Sequence, residues 1–236
     1  MPADRAIRHP QSAIRTRVKI CGIVDVPNGL VAIDAGADYL GFVFYAPSSR
    51  ALDIPAAARL VAELRDARPN AWKAVGVFVN EPLSTIAEAV AACGLDIAQL
   101  NGEETPEYVR EIERPVFKAI RFNPSGETEV PTAAAFGAAR VLLDANVPGR
   151  YGGTGVAYDW SRVSAAVADG FLAGGLTPDN VGKAIERAHP WGVDVSSGVE
   201  RDRAKSPELI ERFIQVVRRF DDAGHASGVA KMGRPR

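Results

Sequence analysis

The sequence predicts one closed (β/α)8 barrel of the α/β class, and three observations lead there. Short apolar runs alternate with helix-like stretches eight times, and no two runs are joined by a two-residue hairpin turn. Polar and glycine signals follow runs one, two, four, six, seven and eight, whereas an open doubly wound sheet would collect them at one switch point. The first run, Arg17-Val18-Lys19-Ile20-Cys21-Gly22, alternates an apolar pair with a Lys/Cys pair. Strand side chains alternate faces, so Lys19 and Cys21 share the inner one, with the cysteine at the carboxyl end where barrels carry their reactive groups.

The elements follow in order. After Cys21, Asp25-Val26-Pro27 opens a helix that Gly36 stops after Ala35. Tyr39 to Phe44 is the second strand, and a polar loop from Ala46 to Arg50 leads to a helix from Pro55 to about Arg65. Ala74 to Val79 is the third strand, and Pro82 opens a helix ending near Gly94. Strand four is Asp96 to Leu100, with a helix after Thr105-Pro106. Strand five is Pro115 to Ile120, with an alanine-rich segment after Pro131. Arg140 to Asp144 is strand six, then a glycine-rich loop from Gly149 to Gly155 and a helix from about Asp159. Gly170 to Ala173 is strand seven, with Thr177-Pro178-Asp179 as the cap of the next helix. Val193 to Val195 is strand eight, and Ser206-Pro207 starts a last helix through Arg219. The organisation expected is a flexible N-terminal extension over 1–16, a TIM barrel catalytic domain over 17–220 and a disordered C-terminal tail over 221–236.

Composition narrows the function. A chain of 236 residues, 47% hydrophobic and 24% charged, suits one large globular enzyme domain. A net charge of −1 argues against nucleic acid or an acidic membrane surface as partner. No apolar stretch is long enough to span a bilayer, and the polar, arginine-dotted N-terminus lacks a secretory core. The two cysteines, Cys21 and Cys93, fit a reducing, cytoplasmic setting. The scattered His9, His189 and His225 offer no imidazole metal site.

Strand parity collects the candidate site. Lys19 and Cys21 share a face on strand one, Gln99 and Asn101 on strand four, Leu142 and Asp144 on strand six, Asp194 and Ser196 on strand eight. Each unpaired buried polar group costs about 1–3 kcal/mol, so this many facing one interior must pair with each other or with a ligand. Gly174-Gly175 after strand seven and Ser196-Ser197-Gly198 after strand eight present backbone N–H groups at helix starts, which suits phosphate. Gly152-Gly153-Thr154-Gly155 follows the candidate catalytic carboxylate Asp144 and reads as a lid loop. Arg50 is the cation placed to meet a planar carboxylate with a forked donor.

These residues resemble the phosphoribosylanthranilate isomerase family. The resemblance is carried by Val18-Lys19-Ile20-Cys21-Gly22, by Gly41-Phe42-Val43-Phe44 with Arg50, and by Val75-Gly76-Val77-Phe78-Val79-Asn80. It continues through Gln99-Leu100-Asn101-Gly102-Glu103, Leu142-Leu143-Asp144, Tyr151-Gly152-Gly153-Thr154-Gly155 and Gly174-Gly175-Leu176. Val193-Asp194-Val195-Ser196-Ser197-Gly198-Val199-Glu200 completes it, so the match runs from about Val18 to about Phe220. Two departures stand out: Asn101 where the family usually has histidine, and Arg201-Asp202-Arg203-Ala204-Lys205 where it has a glycine- and lysine-rich segment.

The resemblance implies a step of tryptophan biosynthesis, the Amadori rearrangement of N-(5′-phosphoribosyl)anthranilate to 1-(2-carboxyphenylamino)-1-deoxyribulose 5-phosphate, without metal or organic cofactor. It implies Cys21 as general base, Asp144 as general acid, Arg50 on the anthranilate carboxylate, and the loops after strands seven and eight on the phosphate. Lys19, Gln99, Asn101 and Asp194 would line the substrate. The partner implied is a small phosphorylated substrate, with the chain a monomer or homodimer. Two other readings remain: the histidine-pathway isomerase, which performs the same rearrangement with two aspartates, and a non-catalytic barrel binding phosphorylated ligands. Cys21 speaks against the first, and the Cys21/Asp144 pair against the second.

Overall fold

The computed structural model describes residues 15–122, 130–145 and 163–230. Eight parallel strands close into a barrel in the order β1 to β8. The strands are β1 Arg17–Cys21, β2 Tyr39–Val43, β3 Lys73–Phe78, β4 Ile97–Leu100, β5 Val116–Phe122, β6 Arg140–Ala145, β7 Phe171–Ala173 and β8 Gly192–Val195. Between and after them lie α1 Val26–Ala35, α2 Ile54–Ala67, α3 Leu83–Cys93, α4 Pro106–Arg110, α5 Ala133–Phe136, α6 Ser164–Val167, α7 Val181–Ala188 and α8 Pro207–Ala230. Closure comes from β1 pairing with both β2 and β8, Lys19 standing opposite Tyr39 on one side and Asp194 on the other.

Local chemistry sets the helix ends. The Asp25 carboxylate accepts from the Asn28 amide at 2.8 Å to start α1, and Gly36, at φ 102°, ends it in the left-handed region. Asp53, Thr105 and Thr132 cap α2, α4 and α5 in the same way.

Strand parity then divides the core in two. Val18, Ile20, Leu40, Phe42, Leu143 and Val193 face outward into one continuous layer beneath the helices. Inside the barrel, Val75, Ile97, Phe117, Leu142, Phe171 and Ala173 pack with Tyr39, Ala119 and Trp191. Tyr39 meets Phe171 edge to face at 5.6 Å between ring centroids, and Trp191 meets it at 5.2 Å. Each such ring buried adds about 1.5–3 kcal/mol. This aromatic plug fills the amino-terminal end, and the polar groups are left to the carboxyl end.

Two expectations need correction, and one element was not foreseen. Outside the eight runs, whose strands all pair parallel, the chain contains a two-residue hairpin: β9 Glu200–Arg201 pairs antiparallel with β10 Ala204–Lys205 around Asp202 and Arg203, at φ +50° and +66°. Strands of two residues have no alternation to read, and the turn lacks the usual glycine or asparagine. Thr177-Pro178-Asp179 does not cap α7. Those residues form a turn, in which Asn180 Oδ1 accepts from the Thr177 amide at 2.8 Å, and the helix starts at Val181. Finally, α8 continues past Arg219 into the expected tail, as far as Ala230. Asp221 explains the continuation, because its carboxylate accepts from the Thr16 hydroxyl at 2.7 Å and from Arg218 one turn back at 3.1 Å. The helix start near Asp159 lies outside the described residues.

Candidate active site

At the carboxyl end of β1 the Lys19 and Cys21 side chains lie inside the barrel. Lys19 is fully buried, and its Nζ donates to Asp194 Oδ1 on β8 at 2.9 Å. Opposite Cys21 in register stands Gly41 of β2. A Cβ there would lie 3.0 Å from both the Cys21 thiol and the Lys19 ammonium, so the missing side chain makes room for the pair. Burial pushes the Cys21 thiol up; Lys19 and Lys205 pull it down and Asp194 pushes it up again, and the net shift is upward. Burial would strip the proton from Lys19, but Asp194 and Cys21 more than compensate, and its pKa rises.

Asp144, next to last in β6, lies at the same mouth. Burial, reinforced by the Asp194 charge, raises its pKa, while Arg121 on β5 partly opposes the rise. Arg121 stands opposite Asp144 in register. Gln99 is buried on β4, where its Nε2 donates to Asn101 Oδ1 at 2.9 Å and its Oε1 has no partner among the described residues. An orphan acceptor in that position invites a ligand hydroxyl.

Arg50 sits at the mouth, with its stem against Gly22: a Cβ on that glycine, at φ +78°, would lie 2.4 Å from Arg50 Cδ. Its fork is already engaged. Nε and Nη2 donate to Glu200 Oε1 and Oε2, both at 2.6 Å, so a second carboxylate would meet the guanidinium only on its remaining edge.

The loops after β7 and β8 touch one another. A Cβ on Gly198 would overlap the Leu176 carbonyl at 1.8 Å, which leaves only glycine at that approach. Gly174 and Gly175 have φ +84° and +64°. A 3-10 turn over Ser197–Val199 begins just after β8, and the Ser196 hydroxyl donates to the Cys21 carbonyl at 3.1 Å. These two loops are therefore neighbours at one end of the barrel. The expected lid, Gly152 to Gly155, lies outside the described residues. Among the described residues no group of three His, Cys, Asp or Glu is arranged as metal ligands would be.

Three contributors escaped the sequence reading. Gly41 carried a signal, being the one inward position of β2 without a side chain. The Glu200 and Lys205 roles depend on the hairpin and carried none.

The chain was compared with known proteins. Residues 18–216 match the family model for N-(5′-phosphoribosyl)anthranilate (PRA) isomerase. The chain belongs to this isomerase family. Among the relatives of this isomerase, the N-(5′-phosphoribosyl)anthranilate isomerase of Moorella thermoacetica is 45% identical over 213 residues, spanning 87% of this chain and 91% of the relative. The crystal structure of phosphoribosyl anthranilate isomerase from Thermotoga maritima superposes with a TM-score of 0.72 at 36% identity, covering 86% of this chain and 98% of the other. A second solved structure, of a phosphoribosyl anthranilate isomerase in complex with reduced 1-(o-carboxyphenylamino)-1-deoxyribulose 5-phosphate, gives a TM-score of 0.69 at 33% identity, covering 86% of this chain and 98% of the other. The isomerase is an enzyme of tryptophan biosynthesis on the TIM barrel fold. No helix among the described residues is long and apolar enough to cross a membrane.

Proposed function

We propose that Cys21 and Asp144 divide the proton transfers of an Amadori rearrangement between two sides of the barrel mouth. Asp144 gives its proton to the furanose ring oxygen as the C1–O bond of N-(5′-phosphoribosyl)anthranilate breaks, leaving an iminium. The Cys21 thiolate then takes the proton from C2 of the sugar, and the resulting enolamine tautomerises to the ketone. The substrate gains one proton at the ring oxygen and loses one at C2, the tautomerisation moves the C2 hydroxyl proton to C1, and exchange with solvent returns Asp144 and Cys21 to their starting forms, so no atoms are gained or lost.

The observation that carries this reading is the common position of the two groups at one barrel mouth. Burial and the Asp194 charge raise the Asp144 pKa, the direction an acid requires, while at Cys21, whose net shift is also upward, the Lys19 ammonium on the same strand face favours the thiolate. The pairing of Gly174-Gly175 with Ser196-Ser197-Gly198 offers neighbouring backbone N–H groups for the substrate phosphate. Lys19 and Asp194 fix each other beneath the sugar, with Gln99 Oε1 as acceptor and Asn101 beside it. Arg50 would take the anthranilate carboxylate on the edge that Glu200 leaves.

Asp144→Asn tests the acid. It keeps the shape and removes the proton, so kcat, followed by loss of anthranilate fluorescence, should fall at least about 10²-fold. Substrate binding should persist. Turnover near the wild-type rate would assign the acid elsewhere.

A further inference from the structure

Lys205 of the hairpin is a buried ammonium that the mechanism leaves without a task. Lys205 has a side chain 1% exposed, and its Nζ donates to Glu200 Oε1 at 2.7 Å and to the Ser196 carbonyl at 3.0 Å. Glu200 stands directly across the hairpin in register, so both side chains leave the same face. The turn between them holds two residues other than glycine at positive φ, a conformation that L side chains adopt only at a cost. A strained turn and two buried charges, spent on one cross-strand pair, call for a reason beyond stability.

Charge balance around Cys21 supplies one. The charged groups that act on its thiol are Lys19 of β1, Asp194 of β8, Lys205 of the hairpin and Arg50 of the loop after β2, and Glu200 of the hairpin holds the last two. Asp194 matches Lys19 one to one. Glu200 cannot do the same for Lys205, because both of its oxygens also hold the Arg50 fork. Three cations therefore face two carboxylates, and a thiolate at Cys21 completes neutrality.

We propose that Lys205 is a positioning residue whose charge stabilises the Cys21 thiolate, with the Glu200–Lys205 hairpin holding that charge and the Arg50 guanidinium in place. The proposal rests on Cys21 being the base. Contact with β1 runs through Ser196, whose carbonyl takes Lys205 and whose hydroxyl bonds the Cys21 carbonyl. The Lys205 charge lowers the Cys21 pKa, and Cys21 in turn opposes the depression that burial imposes on Lys205.

Alkylation of Cys21 by iodoacetamide in the substrate-free protein, read on the Cys21 peptide across the neutral to alkaline range, tests this without turnover. A failure of the isomerase mechanism and a failure of this proposal are thus distinguishable. Cys93 is read separately and should react slowly, since burial pushes it up to about 11. Lys205→Met should move the midpoint of the Cys21 profile up by about one pH unit, a roughly tenfold slower reaction at any pH below it. Lys205→Arg, which keeps the charge, should restore the wild-type profile. Because Lys205→Met leaves Glu200 one partner short, Glu200→Gln should be measured as well; it leaves three cations facing one carboxylate, and the midpoint should fall instead. A wild-type midpoint in either variant, once folded, overturns the proposal, since a merely structural lysine would leave the thiol ionisation where it was.

Discussion

Cys21 and Asp144 face opposite requirements, and their surroundings set the pH dependence. The active form needs a thiolate together with a protonated carboxyl. Burial raises both pKa values, and a raised carboxyl still ionises below a raised thiol, so this form is a minority whose population is constant between the two. Below the Asp144 pKa it declines as thiolate is lost with no further gain of carboxyl proton. Above the Cys21 pKa it declines as the carboxyl proton is lost with no further gain of thiolate. The expected kcat/KM profile is therefore a broad plateau. Its acid midpoint lies above the usual carboxylate range and belongs to Asp144; its alkaline midpoint lies above the ordinary thiol value and belongs to Cys21. A profile that keeps climbing with pH and shows no alkaline fall would contradict this pairing of acid and base.

At the scale of elements, the loops after β7 and β8 act as one unit, because the Gly198 backbone lies against the Leu176 carbonyl. Gly175 has open space where a Cβ would go, so its constraint is the backbone conformation and not crowding. Gly175→Val forces a β-branched residue to φ +64°, and leaving the left-handed region would re-aim the N–H groups proposed for phosphate. KM should rise about tenfold or more while kcat changes little, since phosphate contacts are shared by ground and transition states. Steady-state kinetics on the folded variant would show this. Equal losses in kcat and kcat/KM would instead place the loop in the chemistry.

For the whole molecule, barrel closure brings residues from the two ends of the chain to one mouth. Parity made much of that legible: Lys19 and Cys21, Gln99, Leu142 and Asp144, and Asp194 all point inward as their alternation required. Pairings that span the chain were not legible. The Arg50 fork holds a carboxylate 150 residues away, and α8 outlasts its expected end because Asp221 bonds Thr16 across 205 residues. No local pattern encodes such contacts, and a hairpin with two-residue strands leaves none either. The central claim is that Cys21 takes the C2 proton, and the direct measurement is kcat of Cys21→Ser beside a fluorescence titration of substrate binding. A hydroxyl keeps the size but ionises several units higher than a thiol, so kcat should fall at least about 10²-fold with binding retained. Turnover close to wild type would mean that another group is the base and would contradict the account.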